Sequence, residues 1–79
     1  NPITNLKYNG PEKILVKISI FDISGNLIKM LVNEVKNAGY YSARWGAINN
    51  NGQPVSAGVY FYKIHAGSFV ETKKMILLK

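Results

Sequence analysis

Cysteine is absent from this chain of 79 residues. The absence excludes disulfides and thiolate zinc sites as sources of stability. Small extracellular domains often rely on disulfides, although their absence alone neither proves nor excludes export. We expect a single domain over residues 1–79, and a chain of this length buries only a little over ~60% of its unfolded surface. One Trp, five Tyr and three Phe must therefore supply much of the core.

Acidic residues are also few, with four Asp and Glu against ten Lys and Arg and a formal net charge of +6. Such a balance favours nucleic acid or another anionic surface as a partner. However, the cations are scattered along the chain, and only Lys73 and Lys74 are adjacent. No RNA-binding sequence motif accompanies them, so nucleic-acid binding is not predicted.

Groups suited to catalysis or metal binding are scarce as well. His65 is the only histidine, and no nucleophile motif or second base accompanies it. The four carboxylates fall in separate segments: Glu12, Asp22, Glu34 and Glu71. The Asn-rich stretch 49–51 supplies amide oxygens only, which does not favour a tight calcium site. We therefore expect a protein without catalytic activity, metal or cofactor, in which Asp22 caps a turn.

Long apolar runs are missing too. No run of 18 apolar residues occurs, which excludes a transmembrane helix. The chain has no signal-peptide pattern and begins at Asn1-Pro2 rather than at a methionine. This beginning indicates a segment of a longer protein, with any targeting sequence upstream.

What the sequence does contain is a series of short β-rich runs separated by turn residues. The run 58–65, released by Gly58, predicts the strand around which the sheet is organised. Alternation places Tyr60, Tyr62 and Ile64 on one face and Val59, Phe61 and Lys63 on the other. Because both faces begin apolar, we expect this strand to be central and covered on both sides.

Further strands are predicted at 4–8, 13–22, 27–32, 40–47 and 69–78. The second and third form a hairpin through the turn 22–26, and 34–39 is a loop. An amphipathic helix over 26–37 remains the competing interpretation, because helical spacing also fits the apolar residues Leu27, Ile28, Leu31 and Val35. The apolar stretch 75–78 requires either cover on both faces or a bulge. Strands and turns at this spacing predict an all-β antiparallel sandwich of about seven short strands.

Two aromatic residues offer an alternative function. Tyr40 and Phe61 are predicted to face away from the core, where they could stack on sugar rings. The chain would then be an accessory carbohydrate-binding or spacer β-sandwich of an extracellular hydrolase. Tyr41 and Trp45, on the other face of the same predicted strand 40–47 as Tyr40, are expected core anchors.

The order of motifs carries a family resemblance. The motifs are Phe21-Asp22-Ile23-Ser24-Gly25, Ile28, Leu31, Ala38-Gly39, Trp45, the Asn-rich turn with Gly52, the run 56–62, and Lys73-Lys74 with the apolar tail that follows. In this order the chain resembles the type A C-terminal sorting domain of type IX secretion substrates. It is also similar to the immunoglobulin-like domain of the flagellar hook-capping protein. The resemblance implies an immunoglobulin-like sandwich.

The resemblance also implies a role. Such domains follow an N-terminal cargo domain in large secreted proteins of the Bacteroidetes group. The protein reaches the periplasm by a signal peptide, and an outer-membrane translocon recognises the sorting domain. A sortase-like protease then removes the domain and attaches the cargo to anionic lipopolysaccharide at the cell surface. The family's signal residues correspond here to Gly58, Tyr60, Lys73, Lys74, Met75, Ile76, Leu77, Leu78 and Lys79.

Overall fold

A computed structural model describes residues 4–10 and 12–78, which form six β-strands. Short connections join most of them, and a longer loop, residues 46–57, joins the fourth strand to the fifth. The strands are β1 (Thr4–Gly10), β2 (Ile14–Asp22), β3 (Leu27–Lys36), β4 (Gly39–Trp45), β5 (Gly58–Ala66) and β6 (Phe69–Leu77). Six strands are therefore present in the described part, close to the expected seven. Over the same part no helix is long and apolar enough to cross a membrane.

The strands form two antiparallel sheets. One is the pair β1-β4, and the other has the order β3-β2-β5-β6. The predicted hairpin is β2 with β3, and β5 lies between β2 and β6 as expected for a central strand. The buried residues come from both sheets and pack together in one cluster, so the sandwich prediction is confirmed.

The core is centred on β2. Its alternating residues Val16, Ile18 and Ile20 are fully buried, while the intervening residues are partly or largely exposed. Leu6 and Ala43 reach the cluster from the smaller sheet, and Tyr60, Ile64 and Leu77 reach it from the larger one. Alternating polarity in β2 thus fixes which face of the larger sheet is covered.

Trp45 joins the two sheets. Its side chain is 1% exposed, and its ring meets the ring of Tyr60 edge-on with centroids 5.2 Å apart. The indole N–H donates a hydrogen bond to the carbonyl of Ile48, 2.8 Å away. Burial of a large aromatic ring with its polar atom satisfied is a strong source of stability. The prediction that Trp45 anchors the core is confirmed, whereas Tyr41 is half-buried and stacks on Tyr8.

The expectation that β5 is covered on both sides is wrong. The smaller sheet packs on the face that carries Tyr60 and Ile64. No other described strand lies over the opposite face, where Val59 and Phe61 are half-buried and Lys63 is exposed. Val59 and Phe61 are shielded by neighbouring side chains of their own sheet, because adjacent strands lie only about 5 Å apart.

The helix over 26–37 is also excluded, since that segment is β3, which extends to Lys36 into the expected loop. The register of β2 with β3 shifts twice, leaving Leu31 and Ile28 without Cα partners. Both residues pack against the core. Each bulge adds one residue between inward-facing positions. The inward spacing therefore departs from two residues, which is why the sequence resembled a helix here.

The apolar stretch at the end of β6 needs neither cover on both faces nor a bulge. The register of β5 with β6 is regular throughout. Met75 packs on the core and Leu77 is buried, whereas Ile76 is 64% exposed. Two of the apolar residues are therefore structural, and the outward-facing one contributes little to folding.

We expect Ile18→Ala to lower the free energy of unfolding by about 2–5 kcal/mol, because it leaves a cavity at a fully buried site. A domain of this size has a total stability of only about 4–12 kcal/mol. Urea unfolding followed by the fluorescence of the single tryptophan measures the change. The control is Ile23→Ala, since Ile23 is 72% exposed. Equal midpoints for the two variants would contradict the assignment of the core.

Candidate functional site

Strand β6 forms one edge of the larger sheet. It pairs with β5 over nine residue pairs in unbroken register, from Gly58 opposite Leu77 to Ala66 opposite Phe69. Among the described residues no strand pairs with its other side. A regular edge strand presents a row of free N–H and C=O groups to an incoming strand. The edge of β6 is therefore a ready template for strand addition.

The opposite edge, on β3, is interrupted over residues 28–31. Its two bulges interrupt a regular ladder, and the side-chain oxygen of Asn50 accepts a hydrogen bond from the N–H of Met30 at 3.0 Å. The N–H of Asn50 in turn donates to the carbonyl of Ile28 at 3.0 Å. One loop residue thus occupies both backbone groups that an added strand would use there. The two edges of the sheet are unequal.

The loop that carries Asn50 is held by its own hydrogen bonds. The side-chain oxygen of Asn49 accepts from the N–H groups of Asn51 and Gln53, at 2.9 and 3.0 Å. The sequence predicted only a turn here. Asn50 is twenty residues from Met30 in the chain, so no local sequence pattern predicts their contact. The Asn-rich composition was the one signal that could have suggested it.

The first two residues named by the sorting-domain resemblance lie where β5 begins. Gly58 has φ of 152°, a backbone conformation that L side chains rarely adopt. Tyr60 is buried against Trp45, and its O–H donates to the carbonyl of Ser56 at 2.6 Å. Burial raises the pKa of the Tyr60 hydroxyl, with a smaller contribution from the charge of Asp22. Both residues shape and anchor the strand that supports β6.

The remaining named residues lie on β6 or just after it. Tyr60 is opposite Met75, and Gly58 is opposite Leu77, so these four come together. Lys73 and Lys74 are exposed and point to opposite faces of the strand. Lys73 lies 3.5 Å from Glu71 in an exposed ion pair, and Lys74 is opposite Phe61. Leu78 is exposed, and Lys79 is outside the described residues.

The aromatic residues considered for sugar stacking do not share a surface. Tyr40 is 87% exposed on the outward side of β4, next to Asn9 of β1. Phe61 is half-buried on the outward side of the larger sheet. The two rings therefore lie on opposite outer faces of the sandwich and cannot bind one sugar chain side by side.

Asp22 organises the turn between β2 and β3, as predicted. Its carboxylate accepts hydrogen bonds from the N–H groups of Ser24 and Asn26, each at 2.9 Å, and from the side-chain amide of Asn26 at 3.1 Å. These bonds, the one from the Asn26 backbone foremost, lower the pKa of Asp22 from its ordinary value of 3.8. The ionised carboxylate therefore stabilises the turn.

Comparison with known families agrees with this architecture. A model of the FlgD Ig-like domain matches residues 3–68. The chain belongs to this family. The expected immunoglobulin-like sandwich is thereby confirmed, and strand β6 lies beyond the matched range of the FlgD Ig-like domain. No curated protein and no solved structure gives a significant match.

The turn at Asp22 should make the stability of this FlgD Ig-like domain depend on pH in the acidic range. The pKa of Asp22 is lower in the folded state than its ordinary value of 3.8. The carboxylate therefore stabilises the folded state fully above pH 3.8, and this stabilisation is lost as the pH falls through the folded-state pKa. We expect thermal midpoints to fall as pH drops from about 5 towards 2. The thermal midpoint of Asp22→Asn should fall less steeply over this pH range. Parallel curves of midpoint against pH for the variant and the parent would contradict the role of the carboxylate.

We also expect Asn50→Ala to release the edge of β3. The Met30 N–H loses its acceptor and becomes open to water, so its hydrogen exchange should accelerate. Exchange measured by NMR in the variant and in the parent tests this. Asn51→Ala is the control, because the Asn51 side chain makes no hydrogen bond among the described residues. Unchanged exchange at Met30 in Asn50→Ala would contradict the protection of this part of the edge by Asn50.

Proposed function

We propose that this FlgD Ig-like domain is a non-catalytic sorting domain of the type IX secretion class. It directs a larger cargo protein on the same chain from the periplasm across the outer membrane. Recognition is by a translocon, with removal by a sortase-like protease and linkage of the cargo to anionic lipopolysaccharide at the surface. In this proposal β6 is the recognised element.

The observation that carries the proposal is the inequality of the two sheet edges. The edge of β3 has two bulges and is occupied by Asn50 at Ile28 and Met30, whereas β6 is regular and has no strand on its other side among the described residues. When a strand is added to a sheet, main-chain hydrogen bonds give affinity and alternate side chains give specificity. An added strand would meet nine residues of regular backbone on β6 and an interrupted edge on β3.

The side chains of β6 fit such recognition. Met75 and Leu77 point into the core and fix the strand, while Lys73, Lys74 and Ile76 are exposed. The exposed set is available to a partner without any change in the core. With a net charge of +6, the domain would also meet an acidic translocon surface faster than a neutral domain would.

An accessory carbohydrate-binding or spacer module is the second candidate. The observation that favours it is Tyr40, a tyrosine almost fully exposed beside Lys7, Asn9 and Ser42 on the outward side of the smaller sheet. An exposed aromatic ring with polar neighbours suits stacking on a single sugar. This function would involve no residue of β6, which separates it from the first proposal.

Export of a reporter tests the sorting function. Residues 1–79 are fused behind a reporter with a signal peptide and expressed in cells that have a type IX system. We expect the reporter outside the cell, and we expect Lys73→Ala with Lys74→Ala to lower the exported fraction severalfold. Both lysines are exposed, so the fold should persist in the variant.

The matched control removes two cations from elsewhere. Lys7 and Arg44 are exposed on the smaller sheet, and Lys7→Ala with Arg44→Ala changes the net charge by the same amount. We expect it to leave export unchanged. A reporter that stays in the periplasm, or equal export by the two double variants, would refute the proposed role of β6.

A further inference from the structure

The larger sheet has a second exposed surface, which we call the outer face. It is the side turned away from β1 and β4, and no other described strand covers it. Four strands about 4.8 Å apart and about nine residues long give a surface of roughly 20 by 30 Å. Its composition differs from that of an ordinary solvated sheet face, which is mainly polar.

Apolar side chains lie at both ends of the outer face: exposed Leu15, Val35 and Val70 lie near one end, and a larger group lies at the other. Phe21 and Phe61 lie opposite each other on the central strands, and Leu27 is the partner of Phe21 on β3. Val59 and Ile76 form the next pair on β5 and β6. Leu27 is about half exposed and Ile76 is 64% exposed. This end therefore presents a continuous apolar patch to solvent.

The charged side chains that the described part of the chain places on the outer face are all positive. Lys17, Lys63 and Lys74 project from three different strands. The carboxylates of Asp22, Glu34 and Glu71 belong to the other face of the sheet, and Glu12 lines the cleft between the sheets. Both ion pairs among the described residues, Lys36 with Glu34 and Lys73 with Glu71, are made by these other carboxylates. Among residues 4–10 and 12–78, the lysines of the outer face thus have no opposite charge on that face.

We propose that the outer face binds the surface of an anionic lipid bilayer. A second copy of the chain would place like charges against each other and is disfavoured. The three lysines are dispersed over three strands, and mobile headgroups can adjust to such spacing. Lysine stems lie along apolar surface while the ammonium reaches the headgroups. Each lysine near an anionic surface strengthens binding about fivefold. The lipid proposal shares Lys74 and Ile76 of β6 with the sorting proposal, but vesicle binding by the isolated chain and export of a reporter are measured independently.

Vesicle co-sedimentation of the 79-residue chain tests the proposal. We expect binding to vesicles of phosphatidylcholine with phosphatidylglycerol and much weaker binding to phosphatidylcholine alone. Binding to the mixed vesicles should weaken as salt is raised, because ions screen exposed charges. Absence of binding to the mixed vesicles at low salt would overturn the proposal.

Charge reversal locates the binding surface. Lys63→Glu with Lys74→Glu acts on the outer face, and Lys7→Glu with Arg44→Glu acts on the smaller sheet. Each reversal changes the charge by two, so either pair lowers the net charge of +6 by four. We expect the first pair to weaken binding at least about 25-fold and the second to weaken it far less. Equal losses would indicate attraction by net charge alone and would overturn the proposal.

A second comparison tests the apolar patch. Ile76→Ser should weaken vesicle binding severalfold, because Ile76 no longer enters the interface. Ile23→Ser is the matched control, since Ile23 is 72% exposed and lies in the β2–β3 turn. Soluble polyglutamate serves as an acidic polymer without lipid. Equal effects of the two serine variants, or polyglutamate binding as tight as vesicle binding, would favour an acidic macromolecule and overturn the lipid proposal.

Discussion

The packing of Trp45 against Tyr60 is the contact on which the rest of the fold depends. It joins the last residue of β4 to the central strand β5, and so fixes how the small sheet sits on the large one. The small sheet has two strands, β1 and β4, and it covers only one face of the large sheet. Without disulfides, this aromatic contact and the aliphatic side chains of β2 hold the layers together. The outer face is open because of that arrangement.

An open edge is a liability in a small domain, because exposed strands pair with each other and aggregate. The edge of β3 is protected by bulges and by Asn50, and the edge of β6 is protected differently. Lys73 and Lys74 stand on its two faces, and like charges would meet if two copies paired through β6. The same lysines would favour an acidic partner strand. Protection against self-pairing and selection of a partner can therefore rest on the same two residues.

Much of this fold follows from local pattern. Strict alternation in β2 predicted its buried face, and the turn at Asp22 was evident from side chains that bind nearby backbone. The structure of β3 was not predicted unambiguously, because one extra residue interrupts its alternating pattern at Ile28 and another at Leu31. The sequence also failed to identify Asn50, whose partner is distant in the chain. Whether the second face of β5 is covered depends on the number of strands in the opposing sheet, and no local sequence pattern predicts that number.

A recognition element on an edge strand differs in energy from one on an unstructured tail. A disordered segment must be ordered when it binds, and that loss of entropy weakens the complex. In β6, Met75 and Leu77 are already held in the core, and the pairing with β5 fixes the backbone of the exposed residue between them. Ile76 is thus presented in one orientation before any partner arrives. The residues that a partner would meet and the residues that stabilise the fold alternate along one strand, so a substitution can change recognition and leave the core intact.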